Sequence, residues 1–338
     1  MRERLLFSKK PRFPLKIIIL VLITVIILLV AYQLVSRAKW DGISRFTIVF
    51  QSISNSESGE NELVIFSIEP RQHRAVYIVV PVELQLNVPY GYKTYLASQV
   101  YKLGKLDNMR GGGKLIMKSF ESTFGIAFNG YFIALNNFPI KPVNTLEELI
   151  NLKRTNFSFS GILNYLKPSL DLASNFDTNI SLQERFMLWN AIRKIRVDQI
   201  KFIDLNETLV LKKTVLPDGV VVKELIPDFL DLIVKDDFYD SIIRADNTAI
   251  EVVNATDQEK LASQFSKILE HLGGNVVLKT SATNFEEQAC PIYITNKSLS
   301  NSALISRLQR DYGCKLVADV IDIDQADVKI VLGKKFIE

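Results

Sequence analysis

The sequence is poor in the residues that bind metals or cross-link small folds. It has only two cysteines and two histidines among 338 residues. His73 and His271 are far apart in sequence and have no Cys, His or Asp at a metal-binding spacing. Zinc-rich modules and disulfide-stapled miniproteins need several such residues at short intervals, so both classes are excluded. The P-loop, the Gly-x-Ser-x-Gly elbow, the His-Glu-x-x-His motif and the dinucleotide fingerprint are also absent from the sequence.

Basic residues are concentrated at the N-terminus rather than spread over the chain. Residues 1–16 carry six Lys or Arg and one acidic residue, whereas the whole chain carries a formal charge of +4. The remaining residues therefore have a slight acidic excess. A nucleic-acid interface needs cations clustered on a folded domain, so we expect no nucleic-acid partner.

One long apolar run follows this basic tail directly. Ile17–Val35 reads IIILVLITVIILLVAYQLV and is interrupted only by Thr24 and Gln33. At about 1.5 Å rise per residue, such a run nearly spans a hydrocarbon core of about 30 Å. We predict a single transmembrane helix over residues 17–36, with the N-terminus inside and the C-terminus outside. A cleaved signal peptide and a buried core helix are the alternatives, but the run is longer than a signal peptide's apolar segment.

The remainder predicts a mixed α/β (α+β) fold, in which helices cover mainly buried sheets. Apolar β-branched runs such as Arg45–Phe50 and Ala75–Val80 predict strands buried on both faces. The pairs Ser181/Glu184 and Thr256/Glu259 predict capping boxes at helix starts. The 48% hydrophobic content, with 20 Phe and 11 Tyr, is typical of chains with packed cores rather than disordered ones.

The C-terminal part predicts a small βαββαβ unit over residues 247–338. It contains both cysteines: Cys290 opens a predicted strand and Cys314 follows the glycine that ends a helix. A disulfide between them is expected in an oxidising compartment, and two buried free thiols are the alternative.

The same segment resembles the LytR C-terminal domain. That family has an Ile-x-Val-x-Asn strand, a helix that starts near Leu-Ala, and a closing Asp-x-x-Ile-x-Leu-Gly strand. The residues that carry the resemblance are Ile250, Val252, Asn254, Leu261, Ala262, Gly274, Val277, Asp327, Ile330, Leu332, Gly333 and Phe336.

The preceding region resembles a LytR-CpsA-Psr domain. The similar stretches are NELVIFSIEPRQHRAVYIVVP from residue 61, KTYLASQVYKLGKL from residue 93, and GGGKLIMKSFESTFGIAFNGYFIAL from residue 111. The resemblance implies four segments: a cytoplasmic basic tail (1–16), a membrane anchor (17–36), a degenerate LytR-CpsA-Psr-like extracytoplasmic domain (37–246) and a LytR C-terminal domain (247–338). It implies a single-pass protein of the bacterial cytoplasmic membrane.

The chain departs from that family at its catalytic positions. Enzymes of the family transfer glycopolymers from a polyprenyl-pyrophosphate carrier to peptidoglycan, using acidic residues, Mg²⁺ and arginines. Here the strand-opening acid is Asn61, and the family's Pro-Arg-Asp is Pro81-Val82-Glu83. Asn binds Mg²⁺ less well than a carboxylate, and Val cannot form the forked contact of Arg with phosphate.

Five further residues remain candidate contacts for phosphate or metal: Glu62, Glu83, Arg110, Arg193 and Arg196. Arg193 and Arg196 are spaced to share a helix face, and a solvated face is the favoured interpretation. Arg110 precedes three glycines whose backbone could approach a phosphate, although a flexible loop is the simpler interpretation.

We therefore expect a non-catalytic binding or scaffold protein of the cell envelope that needs no cofactor. Its expected partners are the membrane, through one helix, and a cell-wall glycopolymer, a lipid carrier or an envelope protein. A divergent phosphotransferase that uses Mg²⁺ is the alternative. A transcriptional regulator is disfavoured, because the predicted topology leaves only residues 1–16 in the cytoplasm.

Overall fold

The computed structural model describes residues 38–53, 62–107, 109–135, 138–169, 175–217, 219–320, 323 and 325–337, together with Val21, Leu22, Thr24 and Val25. The predicted basic tail and the rest of the predicted anchor lie outside these residues. Within the described part of the chain, no helix combines the length and apolar character needed to cross a bilayer.

A six-stranded mixed sheet forms the centre of the first region. Its strands are β1 (Phe46–Ile53), β2 (Glu62–Glu69), β3 (Arg74–Val79), β6 (Gly130–Leu135), β7 (Phe176–Thr178) and β8 (Ile200–Asp204). Their order is β7-β6-β1-β2-β3-β8. The β1–β2, β2–β3 and β6–β7 pairs are antiparallel, and β1–β6 and β3–β8 are parallel. Two separate hairpins pair β4 (Gln85–Val88) with β5 (Lys93–Leu96) and β9 (Leu211–Val215) with β10 (Val221–Leu225).

Helices cover both faces of this sheet. They are α1 (Ala97–Leu106), α2 (Gly112–Phe124), α3 (Leu146–Asn156), α4 (Ile162–Ser169), α5 (Leu182–Lys194), α6 (Pro227–Asp237) and α7 (Ser241–Asp246). The predicted capping box at Ser181 is confirmed, because Glu184 N donates to its hydroxyl and the Glu184 carboxylate accepts from Ser181 N. This reciprocal bonding fixes where α5 begins.

The strands alternate apolar residues between two cores. Val49 of β1, Ile65 of β2 and Ile78 of β3 lie in the core with α1, α2 and α6, whereas Ile48 and Tyr77 face the other side. Gln51 is fully buried, yet neither its Nε2 nor its Oε1 has a hydrogen-bond partner among the described residues. The predicted mixed α/β architecture with strands buried on both faces is therefore confirmed.

A second, five-stranded sheet follows in the C-terminal region. It contains β11 (Ala249–Asn254), β12 (Asn275–Ser281), β13 (Pro291–Ile294), β14 (Lys315–Val320) and β15 (Val328–Leu332), in the order β12-β11-β15-β13-β14. Its helices are α8 (Leu261–His271), α9 (Ala303–Tyr312) and the short α10 (Lys334–Ile337).

Two sequence expectations for this region need correction. The predicted βαββαβ order omits β14, which lies at the sheet edge and pairs only with β13. An edge strand needs fewer apolar residues, so its sequence signal is weak. The predicted capping box at Thr256 is also wrong, because α8 begins five residues later, after Lys260 with φ of 63° and no side-chain cap. The Thr256 hydroxyl instead donates to Asn254 Oδ1 at 2.8 Å.

A disulfide joins Cys290 and Cys314, with the sulfur atoms 2.02 Å apart. Each cysteine lies at the start of one of two paired strands, next to Pro291 of β13 and Lys315 of β14. Both are buried, at 2% and 3% exposed. The bond closes a segment that contains all of α9.

Buried charged groups connect the two sheets. Arg307 of α9 is 2% exposed and donates to Arg45 O and, at 3.0 Å, to Asn129 Oδ1. Arg45 is 1% exposed and forms a 2.7 Å ion pair with Glu69. Asp240, in the segment that leads to the second sheet, accepts from Arg45 N at 3.0 Å. Isolated buried charges are costly, so this pairing favours one arrangement of the two regions.

Candidate functional site

An apolar cavity lies between the first sheet and helices α3 to α5. Its volume is about 90 Å³, and its walls include Ile48 and Phe132 from the sheet, Leu152 from α3 and Leu188 from α5. Strand alternation supplies the sheet wall, because residues two apart on β1 point to the same face. Its walls are almost entirely hydrocarbon, so an apolar chain is the kind of ligand that they suit.

The polar atoms of the cavity's tyrosines are already bonded to the protein. The Tyr77 hydroxyl donates to Val143 O at 3.0 Å and accepts from Val143 N at 2.7 Å. The Tyr165 hydroxyl donates to Arg185 O at 2.9 Å. A water in the cavity would therefore find few partners, and such sites favour apolar occupants. Burial raises the pKa of both phenols, so both stay protonated.

Two cations line this otherwise apolar space. Lys153 comes from α3 and Arg185 from α5, and Arg185 also lies over the Phe176 ring, 5.3 Å from its centroid. Burial lowers the pKa of both groups. Lys153 forms no salt bridge with a described residue. An anionic group near Lys153 would offset its desolvation, because opposite charge favours the protonated form.

A shallow basic cleft of about 800 Å³ adjoins the cavity. Lys153 and Ile200 line both spaces, and the cleft adds Arg193, Lys194 and Arg196. The Arg193 guanidinium lies 3.9 Å from the Phe159 ring centroid and donates from Nη2 to Asn190 Oδ1 at 3.2 Å. The cleft is therefore suited to an anion at the end of an apolar chain.

The structure corrects the predicted relation between Arg193 and Arg196. They do not share a helix face, because α5 ends at Lys194 and Ile195 adopts an extended ψ of 129°. Arg196 lies beyond the helix and forms a two-pronged contact with Asp198, with both distances 3.0 Å. The two arginines nevertheless line the same cleft.

The other candidate residues are placed apart from this site. Glu83 pairs with Lys223 at 3.4 Å, and their strands meet in a single bridge between Leu84 and Lys223. Glu62, at the start of β2, accepts from Asn144 Nδ2 at 3.4 Å. Asn61 lies outside the described residues. Among those described, no three His, Cys, Asp or Glu side chains come together as a metal site.

Arg110 and the glycines that follow it have packing partners. Arg110 pairs with Asp107 at 3.3 Å and lies 4.2 Å from the centroid of the Tyr90 ring. A Cβ on Gly113 would lie 1.9 Å from the Tyr131 ring. Close packing of α2 against this ring therefore explains the need for glycine without a bound phosphate.

Sequence reasoning did not identify Lys153 and Arg185 as site residues. Each sits on an amphipathic helix among other charged residues, where exposed Lys and Arg are common. Only the position of their helices over the sheet reveals that both reach the cavity. The only feature of the sequence that could have indicated them is that each cation lies within four residues of apolar positions in the core.

Comparison with known proteins supports the C-terminal resemblance. Residues 247–336 match the family model described as LytR cell envelope-related transcriptional attenuator. The predicted LytR C-terminal domain is therefore confirmed over these residues. No curated protein matches the chain significantly.

Several solved structures have a loosely similar fold. B. subtilis TagV is 12% identical, with 68% of this chain and 98% of TagV covered at a TM-score of 0.44. A transcriptional regulator from Enterococcus faecalis is 10% identical, with 69% and 89% covered at 0.41. TagT bound to LIIa-WTA is 15% identical, with 57% and 89% covered at 0.38.

Proposed function

We propose that this chain is a membrane-anchored cell-envelope protein that binds a lipid-linked phosphoglycan without transferring it. The hydrocarbon occupies the cavity between the first sheet and α3 to α5. The phosphate lies in the basic cleft beside Lys153. The sequence resemblance to LytR-CpsA-Psr domains and the matched LytR C-terminal region support an envelope role.

The observation that carries this proposal is that an apolar cavity and a basic cleft lie side by side and share wall residues. Lys153 lines both, so one ligand can place methylene groups in the first and its anionic head in the second. Each buried CH₂ contributes roughly 0.8 kcal/mol, and a phosphate gains from cations in a partly desolvated site. A free sugar would use only the cleft, and a simple fatty alcohol only the cavity.

The arrangement of acids favours binding over catalysis. Phosphoryl transfer relies on cations and metal ions that neutralise charge at the reacting group. Glu83 instead pairs with Lys223. The cavity and the cleft carry the cations Lys153, Arg185 and Arg193, and Asp198 is the one acid in their walls among the described residues. We therefore assign a holding role to the site.

Binding can be tested on the full-length chain in detergent micelles. The probe is farnesyl pyrophosphate, with farnesol and inorganic pyrophosphate as partial ligands, and binding is measured by native mass spectrometry and calorimetry. Leu152→Trp fills the cavity, and Leu163→Trp is its matched control because Leu163 is 72% exposed. We expect the first variant, and Lys153→Ala, to weaken farnesyl pyrophosphate binding roughly tenfold or more. Equal binding by wild type and both variants would refute the site.

Turnover is tested separately. The full chain is incubated with a polyprenyl-pyrophosphate-linked glycan, an acceptor glycan and Mg²⁺, and glycan transfer is followed. Transfer that Glu83→Ala abolishes would establish the phosphotransferase alternative and overturn the non-catalytic assignment. Membrane topology is tested with a reporter fused after Glu338, which we expect to be active only outside the cytoplasm.

A further inference from the structure

A second cleft lies where the two sheets meet. It is distinct from the apolar cavity and its basic cleft, which together are called the lipid site below. Its volume is about 870 Å³. One wall consists of the β4–β5 turn and α2, and the other of α8, the end of α9 and α10. No wall residue is shared with the apolar cavity.

The floor of the cleft is held by paired groups. Lys118 contacts Glu121 at 2.6 Å, and the Tyr312 hydroxyl donates to Glu121 at 3.4 Å. Asp311 is engaged by Arg310 at 3.0 Å and by Asn129 at 2.9 Å. The two acids that line the cleft are therefore already neutralised by the protein.

Three other lysines line the cleft, and of these Lys335 also acts on Glu287, whose pKa it helps to lower. Lys93, Lys114 and Lys335 are exposed, and none forms a salt bridge with a described residue. They come from three separate elements, β5, α2 and α10. A stable fold gains nothing from gathering like charges, which repel each other across a shared space. An anionic ligand between the walls would relieve that repulsion.

Aromatic rings accompany these lysines. Tyr90, Tyr312 and Phe336 line the cleft and are partly exposed. Tyr312 and Phe336 lie at 26° to each other, with centroids 6.3 Å apart. Tyr90 and Lys93 both have left-handed backbone, with φ of 66° and 67°. Such strain in bulky residues persists only where the surroundings impose it, and it sets the direction of both side chains.

Amide and hydroxyl groups complete the walls. Gln258 and Gln264 lie on the C-terminal side, and Asn87 and Ser122 on the other. These groups both donate and accept hydrogen bonds, which suits the hydroxyls of a sugar. Arg110 already covers one face of the Tyr90 ring. Partly exposed aromatic rings, lysines without a salt bridge to a described residue, and neutral hydrogen-bonding groups together match a carbohydrate that carries negative charge.

We propose that the cleft between the two sheets binds an anionic glycan. Its sugar rings pack on Tyr90, Tyr312 and Phe336. Its anionic substituents lie among Lys93, Lys114 and Lys335. Both regions of the chain contribute, so the site exists only when the two sheets are docked. The assignment is independent of the lipid site.

The test measures binding of short dextran sulfate oligosaccharides to the full-length chain by calorimetry. Uncharged dextran of the same length and poly-glutamate are the comparison probes. The triple variant Lys93→Ala, Lys114→Ala, Lys335→Ala removes the three cations. Its matched control removes three exposed lysines elsewhere, Lys102, Lys213 and Lys297. A thermal melt of each variant verifies folding.

We expect the cleft variant to lose roughly tenfold in affinity for dextran sulfate, and the control variant to lose little. Tyr90→Asn, which tolerates the left-handed backbone, should also weaken binding. Equal losses in both triple variants would overturn the proposal. So would equally tight binding of poly-glutamate, which would indicate a charge-only surface for acidic chains, or of uncharged dextran. The triple cleft variant should bind farnesyl pyrophosphate as wild type does, which separates this cleft from the lipid site.

Discussion

Removal of the Glu69 carboxylate should destabilise the fold strongly. Glu69 is 1% exposed and accepts from Arg45 at 2.7 Å, from Arg74 at 2.8 Å and from Ser241 N at 2.7 Å. In Glu69→Ala, Arg45 stays buried with no carboxylate partner. Breaking one side of a buried ion pair costs about 3–5 kcal/mol, which is a large part of a typical stability of about 5–15 kcal/mol.

The measurement is thermal unfolding of the full chain, followed by circular dichroism. At about 2–4 °C per kcal/mol, the loss corresponds to roughly 6–20 °C in Tm. Asp198→Ala is the matched control, because it breaks an exposed acid–arginine pair in which Arg196 is 79% exposed. Exposed pairs contribute about 1 kcal/mol or less. A Glu69→Ala loss no larger than that of the control would refute the reasoning.

The pH dependence of stability should report on the same interaction of Glu69. Burial alone would raise the pKa of Glu69, but Arg45 and the bonds from Ser241 and Arg74 outweigh it and lower the pKa. A carboxyl whose folded pKa is depressed stabilises the fold at pH above its unfolded pKa, about 4.3, and that contribution is lost as pH falls through the folded pKa. Wild type should therefore lose stability below about pH 4 more steeply than Glu69→Ala. Parallel acid profiles would contradict this.

Three further substitutions test the packing. Gln51→Met removes a buried amide that has no partner among the described residues. The free energy of unfolding, measured by urea titration, should therefore rise by about 1–2 kcal/mol. A fall would show that the amide is hydrogen-bonded in solution. Cys290→Ala opens the bond to Cys314 and should lower stability by about 3 kcal/mol, and an unchanged Tm would argue against the bond. Gly113→Ala should lower the free energy of unfolding by about 1–3 kcal/mol, because its methyl group meets the Tyr131 ring. If adding Tyr131→Ala to this variant does not relieve the loss, the clash is not its cause.

Local signals predicted local structure well. Ser181 and Glu184 are three residues apart, and the capping box depends only on them and the backbone between them. The same spacing at Thr256 failed because its hydroxyl oxygen accepts from Gln258 N in a local turn, and the helix begins only after Lys260. Strand β14 was missed because its pairing with β13 depends on residues more than twenty positions away.

The candidate sites were less accessible from sequence. Both clefts are assembled from elements far apart in the chain, such as Lys93 on a hairpin and Lys335 on the final helix. No spacing rule links such residues, because their proximity is set by how the sheets dock. The resemblance pointed instead to Asn61 and Glu83, positions at which the chain departs from the family's pattern.

The contact between Arg307 and Arg45 bears on the order in which the chain can fold. It spans 262 positions, so the start of β1 is completed only by a helix near the C-terminus. Contacts of such separation form late and slowly, because a long loop must close first. During synthesis, Arg45 and Asn129 of the first region therefore lack their hydrogen bonds to Arg307 until α9 has been made. A chain that stops before α9 should therefore be open to proteolysis at the start of β1.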